Sequence, residues 1–218
     1  MLAILDYGAG NLTSVARAFS ALDIPVRITA NANEIAAASG IVFPGVGQAG
    51  QAMTALRQTG LDKCLAEAVA RKQPLLGICL GCQILVASSE EGPTDTLGLL
   101  DGVCRRFDPS LREEDGRVIN IPHMGWNGLR LKRQTPLFEG IDPASEFYFV
   151  HGYYVEPAPE LVIATTVYGR EFCSAYGRDG LWALQFHPEK SGRAGLKILE
   201  NFNNWCQSHA FQKADCLS

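Results

Sequence analysis

Three apolar runs stand out in the first eighty residues: Leu2-Ala3-Ile4-Leu5, Ile41-Val42-Phe43 and Leu75-Leu76-Gly77-Ile78. None alternates apolar with polar side chains, so a strand built from any of them has no face to give to water. Strands of this kind belong in a parallel sheet covered on both sides. Between them the spacing turns helical: residues 11–22 place Leu12, Val15, Phe19 and Leu22 on one face, and further helical stretches fall near 51–58 and 62–71. Residues 26–29 read as another strand. The alternation predicts an α/β fold, an open and mostly parallel sheet with helices on both faces, of the flavodoxin-like kind. From about residue 102 the pattern changes to shorter, turn-separated strand candidates at 102–107, 118–122, 128–131, 147–155, 162–168, 172–176 and 181–186, which adds antiparallel strands in the second half. A helix near 194–208 closes the chain with Leu196, Leu199, Phe202 and Trp205 on one face, and a polar tail at 212–218 is expected to be loose. At 218 residues, 47% of them apolar, the chain predicts one domain over residues 1–211.

Composition removes several classes of function. A net charge of −4 with Lys and Arg scattered leaves no basic patch for nucleic acid. The first apolar run is short, lacks a basic flank and ends in Asp6, so it reads as a buried strand and not a signal peptide. Residues 35–56 carry no charge, but Pro44 and several glycines break them into strand, loop and helix start, and no membrane span is expected. Seven cysteines, an odd number without repeating spacing, point to mostly buried thiols in a reducing, cytoplasmic setting. His123, His151, Cys104 and Cys173 stand alone, so no four-ligand zinc set is legible; the reading includes no metal and no cofactor.

Chemistry concentrates at Gly77-Ile78-Cys79-Leu80-Gly81, between an apolar strand and the helix-like residues 83–87. A small-residue turn from strand to helix is how a nucleophile elbow pushes a reactive side chain out of a sheet. It places the Leu80 N–H where it can donate to an oxyanion. A base is offered by His187, which follows the apolar strand candidate 181–186, and Pro188 holds Glu189 two residues on, where its carboxylate can orient the imidazole. A second oxyanion donor is offered by the loop after Phe43, through Gly45, Val46 and Gly47. Cys79-Leu80-Gly81-Cys82 is formally a C-x-x-C, so a redox dithiol stays open on the residues alone. The loop 6–11 holds a G-x-G without a third glycine, a poor nucleotide signal, and Asn11 reads as a helix cap.

Gly77-Ile78-Cys79-Leu80-Gly81-Cys82-Gln83 with His187-Pro188-Glu189 resembles the class I (triad) glutamine amidotransferases from the first strand almost to the last helix. Asp6-Tyr7-Gly8-Ala9-Gly10-Asn11-Leu12, Pro44-Gly45-Val46-Gly47, Ser88-Ser89-Glu90-Glu91-Gly92, Pro122-His123-Met124-Gly125-Trp126-Asn127, Phe149-Val150-His151 and His187-Pro188-Glu189-Lys190-Ser191-Gly192 narrow the resemblance to the glutaminase subunits of imidazole glycerol phosphate synthase, of the separate-chain bacterial type. The resemblance implies glutamine as substrate, Cys79 as nucleophile, His187 as acid and base, and Glu189 as its orienter. It implies an oxyanion hole from Leu80, Gly47 and Val46, and glutamine contacts from Gly45, Gln83, Glu91, Gly152 and Tyr153. It further implies a heterodimer with a (β/α)₈-barrel cyclase subunit that receives ammonia in histidine biosynthesis, with Asn11, Met124, Trp126 and Lys190 facing it. Two positions depart from the family pattern: Gly152 stands where serine is common and Cys82 where methionine is usual. A glutaminase serving pyridoxal phosphate, anthranilate or purine synthesis would keep the triad without the 122–127 segment. A redox or chaperone-like relative would need neither His187-x-Glu189 nor Glu91.

Overall fold

The computed structural model describes residues 1–8, 11–112 and 116–215, so Ala9 and Gly10 of the glycine loop, Cys216 and the end of the predicted tail lie outside the described residues. Five strands run parallel in the order Val26–Thr29, Leu2–Leu5, Ile41–Gly45, Leu75–Cys79, Leu181–Leu184. In order of appearance that is 2-1-3-4-5, the flavodoxin-like arrangement. Glu171–Arg178 then pairs antiparallel with Leu181–Leu184, Tyr153–Pro157 with Glu171–Arg178, and Gly102–Arg106 with Tyr153–Pro157, extending the sheet on one side. Three of the central strands, Leu2–Leu5, Ile41–Gly45 and Leu75–Cys79, are buried along their whole length, as their uninterrupted apolar sequence requires.

Two apolar layers cover the sheet. On one face the helices Ala49–Thr59 and Leu61–Ala70 bury Met53, Leu56 and Leu65 together with Ile35. On the other, Leu12–Ser20 and the closing helix bury Phe19, Ile198, Leu199 and Phe202. The closing helix runs Gly192–Asp215, through the start of the segment the sequence assigns to a loose tail. Asn11 caps Leu12–Ser20 through its Oδ1, which accepts from the Ser14 N–H at 3.3 Å. No helix among the described residues is long and apolar enough to cross a membrane.

Several element boundaries differ from the sequence reading. Residues 147–155 are not one strand: Glu146–His151 pairs with His123–Gly128 in a separate two-stranded sheet, and the chain crosses at Gly152 into Tyr153–Pro157 of the main sheet. Residues 118–122 form no strand beyond a single bridge from Val118 to Arg112. The elbow helix is one turn, Leu80–Gln83, and does not continue to Ala87. The carbonyls of Ile84, Leu85 and Val86 accept instead from the N–H groups of residues 97–100, at 2.8–3.0 Å, so the ladder a longer helix needs is taken by a neighbouring loop. The structure adds a helix at Ala32–Ala37, which Asn31 caps by accepting from the N–H groups of Asn33 and Glu34.

Candidate active site

The strands Ile41–Gly45, Leu75–Cys79 and Leu181–Leu184 point their carboxyl ends to the same edge of the sheet, and the cavity lies there. Cys79 ends its strand with φ 54° and ψ −109°, a left-handed conformation that costs a residue with a Cβ about 1–3 kcal/mol. The turn is held by close packing. A Cβ on Gly81 would collide with the Phe43 carbonyl oxygen of the neighbouring strand, so only glycine lets the elbow lie against the sheet. Leu80 opens the one-turn helix, and its N–H has no intrahelical acceptor. A helix this short has little macrodipole, so first-turn N–H groups, not a long aligned helix, are what the turn offers a negative charge.

His187 stands one short turn beyond Leu181–Leu184, 3% exposed, with its own N–H donating to the Tyr148 carbonyl at 2.9 Å. Its Nδ1 lies 2.8 Å from Glu189 Oε1, and both side chains are almost fully buried. Among the described residues Glu189 Oε2 and His187 Nε2 have no hydrogen-bond partner within ordinary geometry. Burial, the largest influence, pushes the imidazole pKa down, but the Cys79 sulfur and the Glu189 carboxylate together overcome it and raise it from 6.5 to about 9. With Nδ1 committed to Glu189, Nε2 is the nitrogen left for the sulfur. Cys79 Sγ also donates, at 3.9 Å, to the Val150 carbonyl.

A cavity of about 330 Å³ opens over these groups and is lined by Val46, Gly47, Cys79, Leu80, Gln83, Glu91, Gly152, Tyr153, His187 and Lys190, all of them site residues expected from the sequence. Gly47 adopts φ +95° in its wall. Gln83 Nε2 donates to the Tyr153 carbonyl at 3.0 Å and to Gln185 Oε1 at 3.1 Å, and Glu91 Oε2 accepts from the Ala49 N–H at 2.7 Å. Gly45 lies behind the wall, paired with Cys79 in the sheet, and Glu189 behind His187. At Gly152 a Cβ would meet only Ile121 Cγ2 at 3.6 Å, so there is room for the serine common in the family pattern. Pro122, Val150 and His151 also line the cavity. Sequence reasoning assigns these three no site role of their own, and their place in the 122–127 and 149–151 segments is the signal that could have found them.

Asn11, Met124 and Trp126 are not in the cavity. Met124 is 62% and Trp126 52% exposed on the outer face of His123–Gly128, with Trp126 edge-on to Tyr148 at 6.0 Å and Lys190 Nζ 5.7 Å from the same tyrosine ring. The six described cysteines are free and buried. Cys82 belongs to the apolar layer on the face opposite to the one that holds Cys79, and burial pushes its thiol well above the usual range. A thiol so buried and so hard to ionise does not suit the second position of a redox dithiol.

Residues 3–205 match the family model for class-I glutamine amidotransferases. The chain is 62% identical to imidazole glycerol phosphate synthase subunit HisH of Desulfovibrio desulfuricans, over 95% of both proteins. It is 56% identical to the protein of the same name from Maridesulfovibrio salexigens, over 95% of this chain and 98% of that one. Among solved structures it resembles a glutamine amidotransferase, with a TM-score of 0.72 and 16% identity over 94% of this chain and 98% of that one. It also resembles PurLQS of Thermotoga maritima, with a TM-score of 0.70 and 20% identity over 94% and 97%. These two likenesses speak for the fold.

Proposed function

The chain belongs to the class I glutamine amidotransferases and, within them, to the glutaminase subunits of imidazole glycerol phosphate synthase, and from that membership we propose how its own residues carry the reaction. Cys79 first passes its thiol proton to His187, and its sulfur then attacks the side-chain amide carbon of glutamine. The negative oxygen that forms is met by the Leu80 N–H and by the Val46–Gly47 main chain, which stands across the cavity. His187, protonated up to about pH 9, gives its proton to the departing nitrogen, which leaves as ammonia and a Cys79 thioester remains. The imidazole, now neutral, takes a proton from water as the water attacks the thioester, and glutamate is released. Glu189 keeps Nδ1 protonated and balances the imidazolium. Gln83 and Glu91 hold the amino-acid end of the substrate, the carboxylate opposite its ammonium, with the Gly152–Tyr153 main chain beside them and Gly45 supporting the loop.

The observation that carries this reading is that His187 lines the same cavity as the elbow cysteine, with Glu189 buried behind it at 2.8 Å. Ammonia released into neutral water is mostly protonated and no longer nucleophilic, so it must pass directly to an acceptor. We assign that acceptor to a separate (β/α)₈-barrel cyclase subunit that forms imidazole glycerol phosphate and AICAR in the cytoplasm, docked on Asn11, Met124, Trp126 and Lys190. The exposure of Met124 and Trp126 supports the docking face. The test is ammonia release from glutamine, measured with and without the cyclase and its nucleotide ligand. Wild type should be slow alone and faster in the complex, and Cys79→Ala should be inactive in both. Equal wild-type rates in both settings would remove the partner from the mechanism, and activity retained by Cys79→Ala would remove the thioester.

A further inference from the structure

Two buried histidines take no part in the chemistry above. His123 Nδ1 lies 3.1 Å from His151 Nε2, and His151 Nδ1 lies 2.7 Å from the Tyr153 carbonyl oxygen. A carbonyl only accepts, so His151 carries its hydrogen on Nδ1. Burial holds both rings neutral, His123 down at about 4 and His151 at about 3. A neutral His151 with its hydrogen on Nδ1 has a bare Nε2, so His123 must donate from Nδ1. His123 Nε2 is then bare as well, and Asn127 Nδ2 faces it at 3.5 Å while donating to the Val167 carbonyl at 2.9 Å. Every hydrogen along the line is fixed in one direction: Asn127, His123, His151, Tyr153. The Tyr153 carbonyl also accepts from Gln83 at 3.0 Å.

Both ends of this line matter. His123 and Asn127 belong to His123–Gly128, whose outward residues are Met124 and Trp126. That strand pairs residue by residue with Glu146–His151, Met124 opposite Val150 and Trp126 opposite Tyr148. The Val150 carbonyl touches the Cys79 sulfur and the Tyr148 carbonyl holds the His187 N–H. Beyond His151 the chain crosses at Gly152 to Tyr153, and the His151 ring closes that crossing onto its own main chain two residues on.

We propose that His123 and His151 are positioning residues that lock the 150–153 crossing, the wall between nucleophile and Gln83, to the exposed strand bearing Met124 and Trp126, so that docking on that strand is felt in the glutamine site. The inference rests on the glutaminase reading for its assay. His123→Phe keeps an aromatic ring of similar size between Phe149 and Tyr168 but cannot donate. His123→Asn keeps a donor where Nδ1 stands. His123→Phe should raise the KM for glutamine about tenfold, the worth of roughly one hydrogen bond, change kcat of the isolated subunit less than threefold, and lose most of the stimulation by the cyclase. His123→Asn should recover KM and stimulation to within about threefold of wild type. If His123→Phe matches wild type in KM and stimulation, or His123→Asn fails as fully as His123→Phe, the proposal is overturned. Nitrogen-15 NMR of the wild-type histidines gives an independent check that no variant's folding can obscure. Both rings should be neutral at pH 6 with hydrogen on Nδ1, and a charged ring or the opposite tautomer on His151 overturns the proposal. A wild type that released no ammonia would strike the glutaminase reading instead, leaving the tautomer result standing.

Discussion

Glu189 is a carboxylate with one partner. One oxygen meets His187, the other meets no partner among the described residues, and the side chain is 2% exposed, so the protonated imidazole is the counter-charge it has there. Glu189→Gln preserves the shape and removes the charge. His187 then loses one of the two partners that lift it to about 9, leaving burial to pull it down. The amide also offers Nδ1 a choice of donor or acceptor, which frees the wrong tautomer. Glutaminase kcat should fall by roughly 10²–10⁴, with the alkaline limb of the pH profile moved to lower pH. A kcat within threefold of wild type would show that Glu189 does not orient His187. This relation was legible in the sequence, because a rigid His-Pro-Glu after an apolar strand leaves the carboxylate few places to go. The His123–His151 contact was not, since it depends on two strands pairing in register to join residues 28 positions apart.

At the scale of elements, the helix Ala49–Thr59 depends on a residue from elsewhere in the chain. Gln48 at its start makes no side-chain cap, and Glu91, from the turn after Ser88–Ser89, supplies the acceptor for the Ala49 N–H. Glu91 therefore fixes the helix that follows the Gly45–Gly47 loop while lining the cavity itself. The two duties separate on substitution. Glu91→Gln retains an acceptor for Ala49 but no charge for a substrate ammonium, so thermal stability should hold to within about 1 kcal/mol while the KM for glutamine rises at least tenfold. Glu91→Ala should lose both. An unchanged KM in Glu91→Gln would place the substrate ammonium elsewhere. From sequence, the buried strands and the long helices were readable because their apolar spacing is strong. The helix Ala32–Ala37, absent from the sequence reading, buries only Ile35 and so carries almost no apolar signal, although Asn31 and Glu34 three residues apart mark its start. The elbow helix looks longer in sequence than it is because Ile84, Leu85 and Val86 are buried on every side, which helix and loop satisfy equally well.

Across the whole molecule, the buried histidines pull stability in opposite directions with pH. His187 binds its proton more tightly folded than unfolded, about 9 against 6.5, so its contribution is complete below pH 6.5 and is lost as pH rises through 9. His123 and His151 bind theirs more weakly folded, at about 4 and 3, so their contribution is complete above pH 6.5 and is lost as pH falls toward those values. Other groups act outside pH 4.5 to 9. The lowered carboxylates Glu34, Glu90 and Glu171 enter only below the ordinary value of 4.5, and the raised thiols Cys104, Cys173 and Cys206 only above 9. The isolated subunit should therefore be most stable near pH 6.5, losing on the order of 3 kcal/mol by pH 9 on the His187 account. Calorimetric Tm measured from pH 4.5 to 9 checks this, with His187→Asn flattening the alkaline side and His123→Phe the acid side. A Tm that keeps rising from pH 6.5 to 9 in the wild type would mean that His187 is not held as an imidazolium by Glu189 and the Cys79 sulfur, and that it takes the Cys79 proton only during the attack on glutamine.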